Sequence, residues 1–393
     1  MDKSAGRSLT WGGGCRCCDG ALATPTSGAC WVGGSGVIPQ RNADFRLSDM
    51  STRNRFFGTG GLDASLQFEL NNGENTGPGH GTTLQFYANY LTSRSSMADL
   101  IAAGVRASVR SCGGPVVPLK LGRVDAAAAG AAGVPQPQNS VVTFRQQFDR
   151  MGFSPAEMIQ LVACGHSLGS VHSTEFPNIV PASVGQMPLD TTNTVYDHNI
   201  VSEYVSGDTK NPLVVGPAIA LGRHSDFKVF NSDANVTIRA MNSATAYRTT
   251  CQTVLQKMIE VVPDGVTLTD PIAPYTVKPV DMQLTLNTGG TTFLLTGFIR
   301  VRTTEIPGDS ISNLVFTWKD RNGGNNCGSS GTCSVTATLQ GVATGFDDTF
   351  AVCGPHPDCP TPSLTLVVPV LPYRGDDPGF VRHLILHSRP QPQ

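Results

Sequence analysis

The spacing of apolar residues divides the chain into a helical part and a later part built from strands. Helical signals dominate from about residue 41 to residue 262. In SSMADLIAAGVRASVRSC, for example, Leu100, Val105 and Val109 lie near one face, and CGGP ends the helix. After a Pro-rich stretch, apolar residues alternate with polar ones in MQLTLNTGGTTFLLTGFIRVRTT, LVFTWKDRNGG, SVTATLQGV and SLTLVVPVL. This alternation between Gly and Asn turns predicts antiparallel strands.

These patterns predict four segments along the chain. Residues 1–40 are an irregular Gly- and Cys-rich segment, residues 41–262 a helical domain, residues 263–280 a Pro-rich linker, and residues 281–393 a β domain. Short strands separated by turn residues are typical of a sandwich, so we expect a sandwich-like arrangement. The predicted fold class is a mostly α domain followed by a small antiparallel β domain.

Composition and charge argue against two kinds of partner. The net charge is −2 and charged residues make up 15% of the chain, against about 25% in an average protein. No block of Lys and Arg favours nucleic acid, and no apolar run approaches the roughly 18 residues that a membrane helix needs. We therefore expect neither a nucleic-acid partner nor a membrane span.

The eleven cysteines and one glycosylation motif bear on the compartment. Cys327 with Cys333, and Cys353 with Cys359, have spacings that suit local disulfides in an oxidising compartment, with free buried thiols as the alternative. Asn235 starts the motif NVT, which fits a secreted protein. The first residues, however, lack the apolar region of a secretory signal. The two indications of compartment therefore conflict.

The stretch CGHSLG, residues 164–169, fits two unrelated chemistries. As G-x-S-x-G it is the nucleophile elbow of a serine hydrolase, with Ser167 as the nucleophile. As a histidine on an apolar helix it offers His166 as a ligand for haem iron. A histidine in such a position is more often a core residue, which is the third interpretation.

The residues before the motif favour the histidine over the serine. An elbow needs a strand before it and a helix after it. Here Ser154 is a good N-cap, Pro155 suits the first helical position and Glu157 completes a capping box. Apolar residues then follow at spacings of three and four up to His166, which projects from the same face. The motif closes a helix and the chain has no HGGG-type oxyanion loop, so the hydrolase is disfavoured.

Several segments resemble one known family in the same order. EMIQLVACGHSLGSVHSTEFPNIV is similar to the segment around the iron ligand in the plant-type haem peroxidase superfamily, in its fungal secretory-like branch. Further matching segments are GTGGLDASLQFEL, SSMADLIAAGV, CGGPVVPLKLGRVDA, GVPQP, NPLVVGP and SDFKVFNSDANVTIRAM. The resemblance covers about residues 49–262. It implies a secreted, monomeric, mostly α haem peroxidase domain that reduces hydrogen peroxide with electrons from small aromatic donors.

The resemblance assigns a haem b site to two residues. His166 would bind the iron through Nε2, and Asp226 in HSDF would accept the hydrogen bond of Nδ1–H, which makes the imidazole more electron-donating. A helix-capping or surface acid is the alternative for Asp226. Leu189 occupies the place where some relatives carry a radical-forming tryptophan, and an aliphatic side chain cannot be oxidised there. Small phenol-like donors at the haem edge near GVPQP are therefore the expected substrates.

Two oxygen-rich loops resemble the calcium sites of the family. Ca²⁺ takes about six to eight oxygen ligands from carboxylates, hydroxyls and carbonyls. The proximal site would use Ser167, Asp190, Thr192, the carbonyl of Val195, and Asp197. The distal site would use Asp49, the carbonyl of Gly61, Asp63 and Ser65. An Asx-rich turn is the alternative for either loop.

The distal arm departs from the family pattern. Relatives have Arg and, four residues later, His followed by Asp; the His moves the peroxide proton and the Arg stabilises developing charge. With Asp49 as the anchor, Ser48 stands at the histidine position and Asp44 at the arginine position. Ser is no base near neutral pH, and Asp has the wrong charge. Asn75, which would orient that histidine in relatives, has no obvious partner.

Two interpretations of this departure remain. In the first, the chain binds haem but has little peroxidase activity. In the extreme case it is a secreted haem-containing or wall-associated binding protein without turnover. In the second, residues 1–48 are a wrong translation of the exon that encodes the arm, as the loss of pattern before Asp49 indicates.

Restoring the two family residues tests the alignment of the arm. A distal base contributes about 10²–10⁴-fold and a charge partner about another 10²–10³-fold. Asp44→Arg together with Ser48→His is therefore expected to raise the rate of reaction with peroxide by orders of magnitude. Stopped-flow absorbance of the haem-loaded chain, with and without the two changes, measures this rate. Equally rapid reaction of the unchanged chain would refute the alignment.

Overall fold

The computed structural model divides the chain into two compact units, with the boundary between Ile272 and Ala273. It describes residues 29–32, 36–39, 53–75, 77–286, 292–304, 311–318, 334–337, 342–345, 348–351, 364–369 and 384–390. Three positions of the predicted distal arm and distal calcium site lie outside the described residues: Asp44, Ser48 and Asp49. The same is true of the four cysteines predicted to form local disulfides: Cys327, Cys333, Cys353 and Cys359.

The first unit is mainly helical in the part that the structure describes. Its α-helices are α1 Gly79–Ala88, α2 Met97–Ser111, α3 Val141–Met151, α4 Pro155–His166, α5 Asn199–Ser206, α6 Ser225–Phe230, α7 Val236–Ala240 and α8 Ala244–Ile259. Short 3-10 helices cover Ser65–Phe68, Pro217–Ile219 and Asn231–Asp233. Two antiparallel strand pairs accompany them: β1 Ala29–Val32 with β2 Gly36–Pro39, and β3 Ser170–His172 with β4 Gln186–Pro188. The first pair falls in the segment predicted to be irregular.

Helix α2 agrees with the sequence prediction at both ends. Ser96 caps it by accepting a hydrogen bond from the backbone N–H of Asp99. Val105 and Val109 are buried on its inner face. Two residues beyond the last helical residue, Gly113 has a φ of 88°, a left-handed conformation that glycine adopts without steric cost. The apolar spacing and the CGGP stop are therefore confirmed.

A disulfide between Cys164 and Cys251 joins α4 to α8. The two cysteines are 87 residues apart in the sequence, and both are buried. Closing a loop of this length typically stabilises a fold by roughly 2–5 kcal/mol, since it restricts the unfolded chain. The bridge fixes the last turns of α4, the helix that ends in His166. Neither cysteine was paired in the sequence prediction, which considered only close neighbours.

The stretch predicted as a linker is hydrogen-bonded to the helical unit over its first half. The backbone N–H groups of Thr269 and Ile272 donate to the carbonyls of Leu121 and Leu119 at 2.9 and 2.8 Å. The backbone N–H of Asp264 likewise donates to the carbonyl of Gly58 at 2.8 Å. The chain follows the helical unit as far as Ile272 and enters the first strand of the second unit at Val277.

The second unit consists of antiparallel strands in its described part. They are β5 Val277–Leu286, β6 Thr292–Arg302, β7 Ile311–Trp318, β8 Ser334–Ala337, β9 Val342–Gly345, β10 Asp348–Ala351, β11 Leu364–Pro369 and β12 Leu384–Pro390. In one sheet β6 pairs with β5, β10 and β11, and β9 extends the sheet from β10. A second sheet has the order β12-β7-β8.

The structure confirms a mainly helical domain accompanied by antiparallel sheets. The four alternating stretches singled out in the sequence all contain strands, namely β5 with β6, then β7, β8 and β11. The sandwich-like arrangement stays a prediction. Among the helices that the structure describes, none is both long enough and apolar enough to cross a membrane.

Candidate functional site

A cavity of about 190 Å³ in the helical unit contains His166 in its wall. Much of the wall is apolar and is formed by Phe144, Phe148, Phe176, Ile179, Leu189 and Leu213. The titratable side chains in the wall are Glu74, His80, His166, His172, Glu175 and Asp226. An apolar cavity with a few polar groups is the usual form of a cofactor site.

Helix α4 carries His166 as its last residue, and its start is fixed as predicted. The side chain of Ser154 accepts a hydrogen bond from the backbone N–H of Glu157 at 3.2 Å. The carboxylate of Glu157 accepts from the backbone N–H of Ser154 at 2.8 Å, and Pro155 occupies the first turn. This reciprocal capping box satisfies two of the unpaired donors at the start of a helix. The interpretation of CGHSLG as a helix end is therefore confirmed.

The last turn of α4 is held by two buried tyrosines. The Tyr247 hydroxyl donates to the Ala163 carbonyl at 3.0 Å, and the Tyr196 hydroxyl donates to the Cys164 carbonyl at 2.9 Å. The final carbonyls of a helix lack partners within the helix, so these bonds replace the missing ones. Burial raises the pKa of Tyr247 well above its ordinary value, which keeps its hydroxyl protonated as a donor.

The imidazole of His166 is hydrogen-bonded to Asp226. His166 Nδ1 lies 2.9 Å from Asp226 Oδ2, and the carboxylate is buried, with 1% of its side chain exposed. Asp226 reaches this place from the first turn of α6. With Nδ1 bound in this way, Nε2 is the nitrogen through which His166 would bind a metal. The two residues that the sequence singled out are thus in direct contact.

Asn211 is a third member of this arrangement that the sequence analysis missed. Its Nδ2 donates to Asp226 Oδ2 at 2.7 Å, and the residue is fully buried. Its own Oδ1 accepts from the backbone N–H of Leu213 at 2.8 Å, which closes an Asx turn. Asp226 Oδ1 is buried without a hydrogen-bond partner. The Asn-Pro pair in NPLVVGP was a signal for such a turn, but nothing in it indicated the contact with Asp226.

The residues predicted for the proximal calcium site lie together beside the end of α4. Ser167 Oγ donates to the Asp197 carbonyl at 2.8 Å, and Thr192 Oγ1 donates to Asp197 Oδ1 at 3.1 Å. Asp190 Oδ1 accepts from the backbone N–H of Thr192 at 2.9 Å, while Asp190 Oδ2 is buried without a hydrogen-bond partner. Val195 lies in the same turn, its N–H donating to the Thr192 carbonyl at 2.7 Å.

The charge balance of this loop favours a cation. Burial, together with the nearby carboxylates of Asp197 and Glu203, raises the pKa of Asp190 to about 7. A buried carboxylate that faces other carboxylates is stabilised in its charged form by a positive ion. Within the described ranges no three His, Cys, Asp or Glu side chains cluster as a metal site. Hydroxyl and carbonyl oxygens would therefore have to provide most of the ligands.

The three described residues of the predicted distal calcium site form one tight turn. The backbone N–H of Asp63 donates to the Gly61 carbonyl at 3.0 Å. The backbone N–H of Ser65 donates to Asp63 Oδ1 at 3.1 Å. Burial is the main cause that raises the pKa of Asp63. Asp49, the fourth predicted ligand, lies outside the described residues.

Asn75 follows Glu74, a residue of the cavity wall. Its Nδ2 donates to the Glu69 carbonyl at 3.3 Å, and only 3% of the residue is exposed. Its Oδ1 is buried and has no hydrogen-bond partner among the described residues. A buried amide oxygen of this kind is costly. The family resemblance expects a histidine as its partner, and Ser48, which stands at that position, lies outside the described residues.

The GVPQP segment is fastened at the cavity wall from two sides. Glu74 Oε2 accepts from the backbone N–H groups of Gly133 and Val134 at 2.7 and 3.2 Å. Lys228 Nζ donates to the Pro137 carbonyl at 3.4 Å from the other end of the segment. Residues 134–137 all line the cavity. The segment is therefore a fixed part of the wall.

Comparison with known proteins agrees with this geometry. Residues 43–233 match the peroxidase family model. A WSC domain-containing protein of Arthroderma benhamiae is 52% identical over 310 residues, which is 78% of this chain and 43% of that protein. The peroxisomal L-ascorbate peroxidase 5 of Arabidopsis thaliana is 33% identical over 157 residues, 39% of this chain and 53% of that protein. Mitochondrial cytochrome c peroxidase of Yarrowia lipolytica is 35% identical over 80 residues, 20% of this chain and 23% of that protein.

The matched part of the chain belongs to the plant-type haem peroxidase superfamily. The chain spans about half or less of the length of the relatives just named. The family match therefore covers residues 43–233 of the helical unit and not the whole protein.

Removing the Asn211 side chain tests how Asp226 is stabilised. Asn211→Ala takes away the Nδ2 donor and leaves the buried carboxylate with one hydrogen bond fewer. We expect the free energy of unfolding to fall by roughly 1–3 kcal/mol, measured by denaturant unfolding at neutral pH. Asn242→Ala changes an exposed asparagine of the same unit and is expected to shift stability by no more than about 0.5 kcal/mol. Equal stability of the two variants would contradict the role of Asn211.

Proposed function

We propose that the helical unit is a haem peroxidase domain that reduces hydrogen peroxide and oxidises small aromatic donors. The observation that carries the proposal is the contact between His166 Nδ1 and the buried carboxylate of Asp226 at 2.9 Å. An imidazole that donates to a carboxylate is a strong axial ligand and favours the oxidised states of iron. The family match over residues 43–233 supports the same function.

The residues of the cavity fit haem b. His166 would hold the iron through Nε2, and Asp226 with Asn211 fixes the ring orientation and keeps Nδ1 protonated. The apolar side chains of the wall exclude water from the macrocycle. When bound, the haem supplies the redox chemistry that splits peroxide. Among the described residues, the side chains of His166 and Asn211 are the hydrogen-bond donors to Asp226, both at Oδ2, and Oδ1 has no partner.

Small donors would react at the cavity edge beside residues 134–137. This segment is fixed by Glu74 and Lys228, so a donor would meet a rigid wall. Leu189 also lines the cavity and cannot pass an electron as an aromatic ring does. The chain thus favours donors that reach the haem directly over electron transfer through the protein.

The proposal includes two calcium sites, one proximal and one distal. Asp190, with a buried oxygen that lacks a partner, supports a proximal site together with Ser167, Thr192, the Val195 carbonyl and Asp197. The turn at Gly61, Asp63 and Ser65 supports a distal site to which Asp49 would add a carboxylate. Ca²⁺ suits such sets because it accepts mixed oxygen ligands in flexible geometry.

A second candidate function is haem binding without turnover. The buried, unpartnered Oδ1 of Asn75 favours it, since in working relatives that oxygen orients a catalytic histidine. Asp44 and Ser48, which stand at the family's catalytic positions, lie outside the described residues. On this reading the chain is a secreted haem-containing or wall-associated binding protein.

The fungal secretory-like branch, secretion and a monomeric state complete the proposal. The Cys164–Cys251 disulfide supports an oxidising compartment, since disulfides are rare in reducing ones.

Replacing His166 tests the haem ligand. Loss of a residue that supports a ligand costs about 10–100-fold in metal affinity, so Asp226→Asn is expected to weaken haem binding by about that factor and His166→Ala by more. Soret titration with haem measures both. Gln160→Ala, on the same helix but outside the cavity wall, serves as the control for helix disturbance. An unchanged Soret band in His166→Ala would exclude His166 as the ligand.

Removing calcium tests the proximal site. An ion present at 100 times its dissociation constant stabilises the folded state by about 2.7 kcal/mol, so a chelator is expected to lower the melting temperature and loosen the haem. Asp190→Asn should lose most of this calcium response, and Asp208→Asn, an exposed carboxylate outside the loop, should keep it. If the chelator leaves the melting temperature unchanged, the proximal calcium site is contradicted.

A further inference from the structure

Three histidines line the cavity, and the proposed function uses one of them. His166 ends α4, and His172 lies in β3, which begins four residues later. His80 comes from a separate helix, as the second residue of α1. It is buried, with 7% of its surface exposed. A buried histidine in a cofactor cavity is a candidate acid–base group.

His80 lies in the first turn of α1, and its side chain is one of six titratable groups in the cavity wall. The other titratable groups of the wall are Glu74, His166, His172, Glu175 and Asp226. All three of their carboxylates already accept hydrogen bonds: Glu74 from the backbone of Gly133, Asp226 from Asn211, and Glu175 from Thr174.

His172, the third histidine of the cavity wall, is less suited to act as the acid–base group. His172 Nε2 lies 3.4 Å from Ser170 Oγ on the same strand. A short connection joins that strand to the helix that ends in His166, so His172 would be held close to the residue that would bind the iron. His80 comes from a separate helix, so its place in the cavity wall is set independently of His166.

We propose that His80 takes the proton from hydrogen peroxide in this chain, in place of the histidine that position 48 lacks. This inference rests on the proposed function. His80 accepts the proton from the oxygen that binds and returns it to the outer oxygen, which leaves as water when the O–O bond breaks. The two electrons come from two phenol donors, so that H₂O₂ and two ArOH give two H₂O and two phenoxyl radicals.

Cyanide binding reports on the proton step without turnover. Hydrogen cyanide must lose its proton as it binds, so its association needs the same base as peroxide does. In haem-loaded full-length chain we expect His80→Gln to slow both cyanide association and peroxide reaction by about 10²–10⁴-fold, the usual contribution of a general base. Thr82→Ala, an exposed change on the same turn of α1, should leave both rates at the parental value. Added imidazole should restore the rates in His80→Ala.

The outcomes separate this inference from the function on which it rests. A parental chain with no Soret band would overturn both. A normal Soret band with equal cyanide and peroxide rates in parent and His80→Gln overturns His80 alone, as does a variant in which only the KM for the donor rises. If His80→Gln does not fold, the parental pH profile decides. A rate that falls as pH drops through the imidazole range supports His80, and a rate that stays flat from about pH 5 to 8 overturns it.

Discussion

The packing of the helical unit depends on the hydrogen bonds of one buried carboxylate. Asp226 is almost completely buried, and a charge in such a place is tolerated only when donors surround it. His166 and Asn211 are the donors, and each is brought there by a different segment. The end of α4, the Asx turn at Asn211 and the first turn of α6 must therefore meet for the carboxylate to be stable. Packing of these three segments therefore also orients the imidazole of His166.

Several specific contacts converge at the end of α4. Two tyrosine hydroxyls, one disulfide, one carboxylate and one hydroxyl-bearing loop fix residues 163–167. The loop that would hold the proximal calcium ion starts from Ser167, directly after His166. Binding of an ion to that loop would therefore act on the ligand helix through one peptide unit. The proposed calcium and haem sites would in this sense share one structural element.

How far the sequence predicted the structure depends on the range of each interaction. The capping box of α4 and the limits of α2 were predictable, because caps and stop signals act over a few residues. The family resemblance brought His166 and Asp226 together across 60 residues, which no local rule does. The Cys164–Cys251 disulfide and the Asn211 contact were missed because both depend on tertiary placement. The role inferred for Leu189 stays a prediction. That Asp226 Oδ1 has no hydrogen-bond partner among the described residues could be seen only in three dimensions.

The 87-residue loop closed by Cys164 and Cys251 also has a topological meaning. His166, His172, Phe176, Leu189, Leu213 and Asp226 all lie within it, whereas Glu74, His80 and residues 134–137 lie before it. Once the cysteines are oxidised, the residues of this half of the cavity stay linked in one covalent ring even in the unfolded chain. The ring confines them to a smaller volume, so this half loses less conformational entropy on folding than it would without the bridge. The disulfide therefore favours the half of the cavity that carries His166 and Asp226 over the half that carries His80.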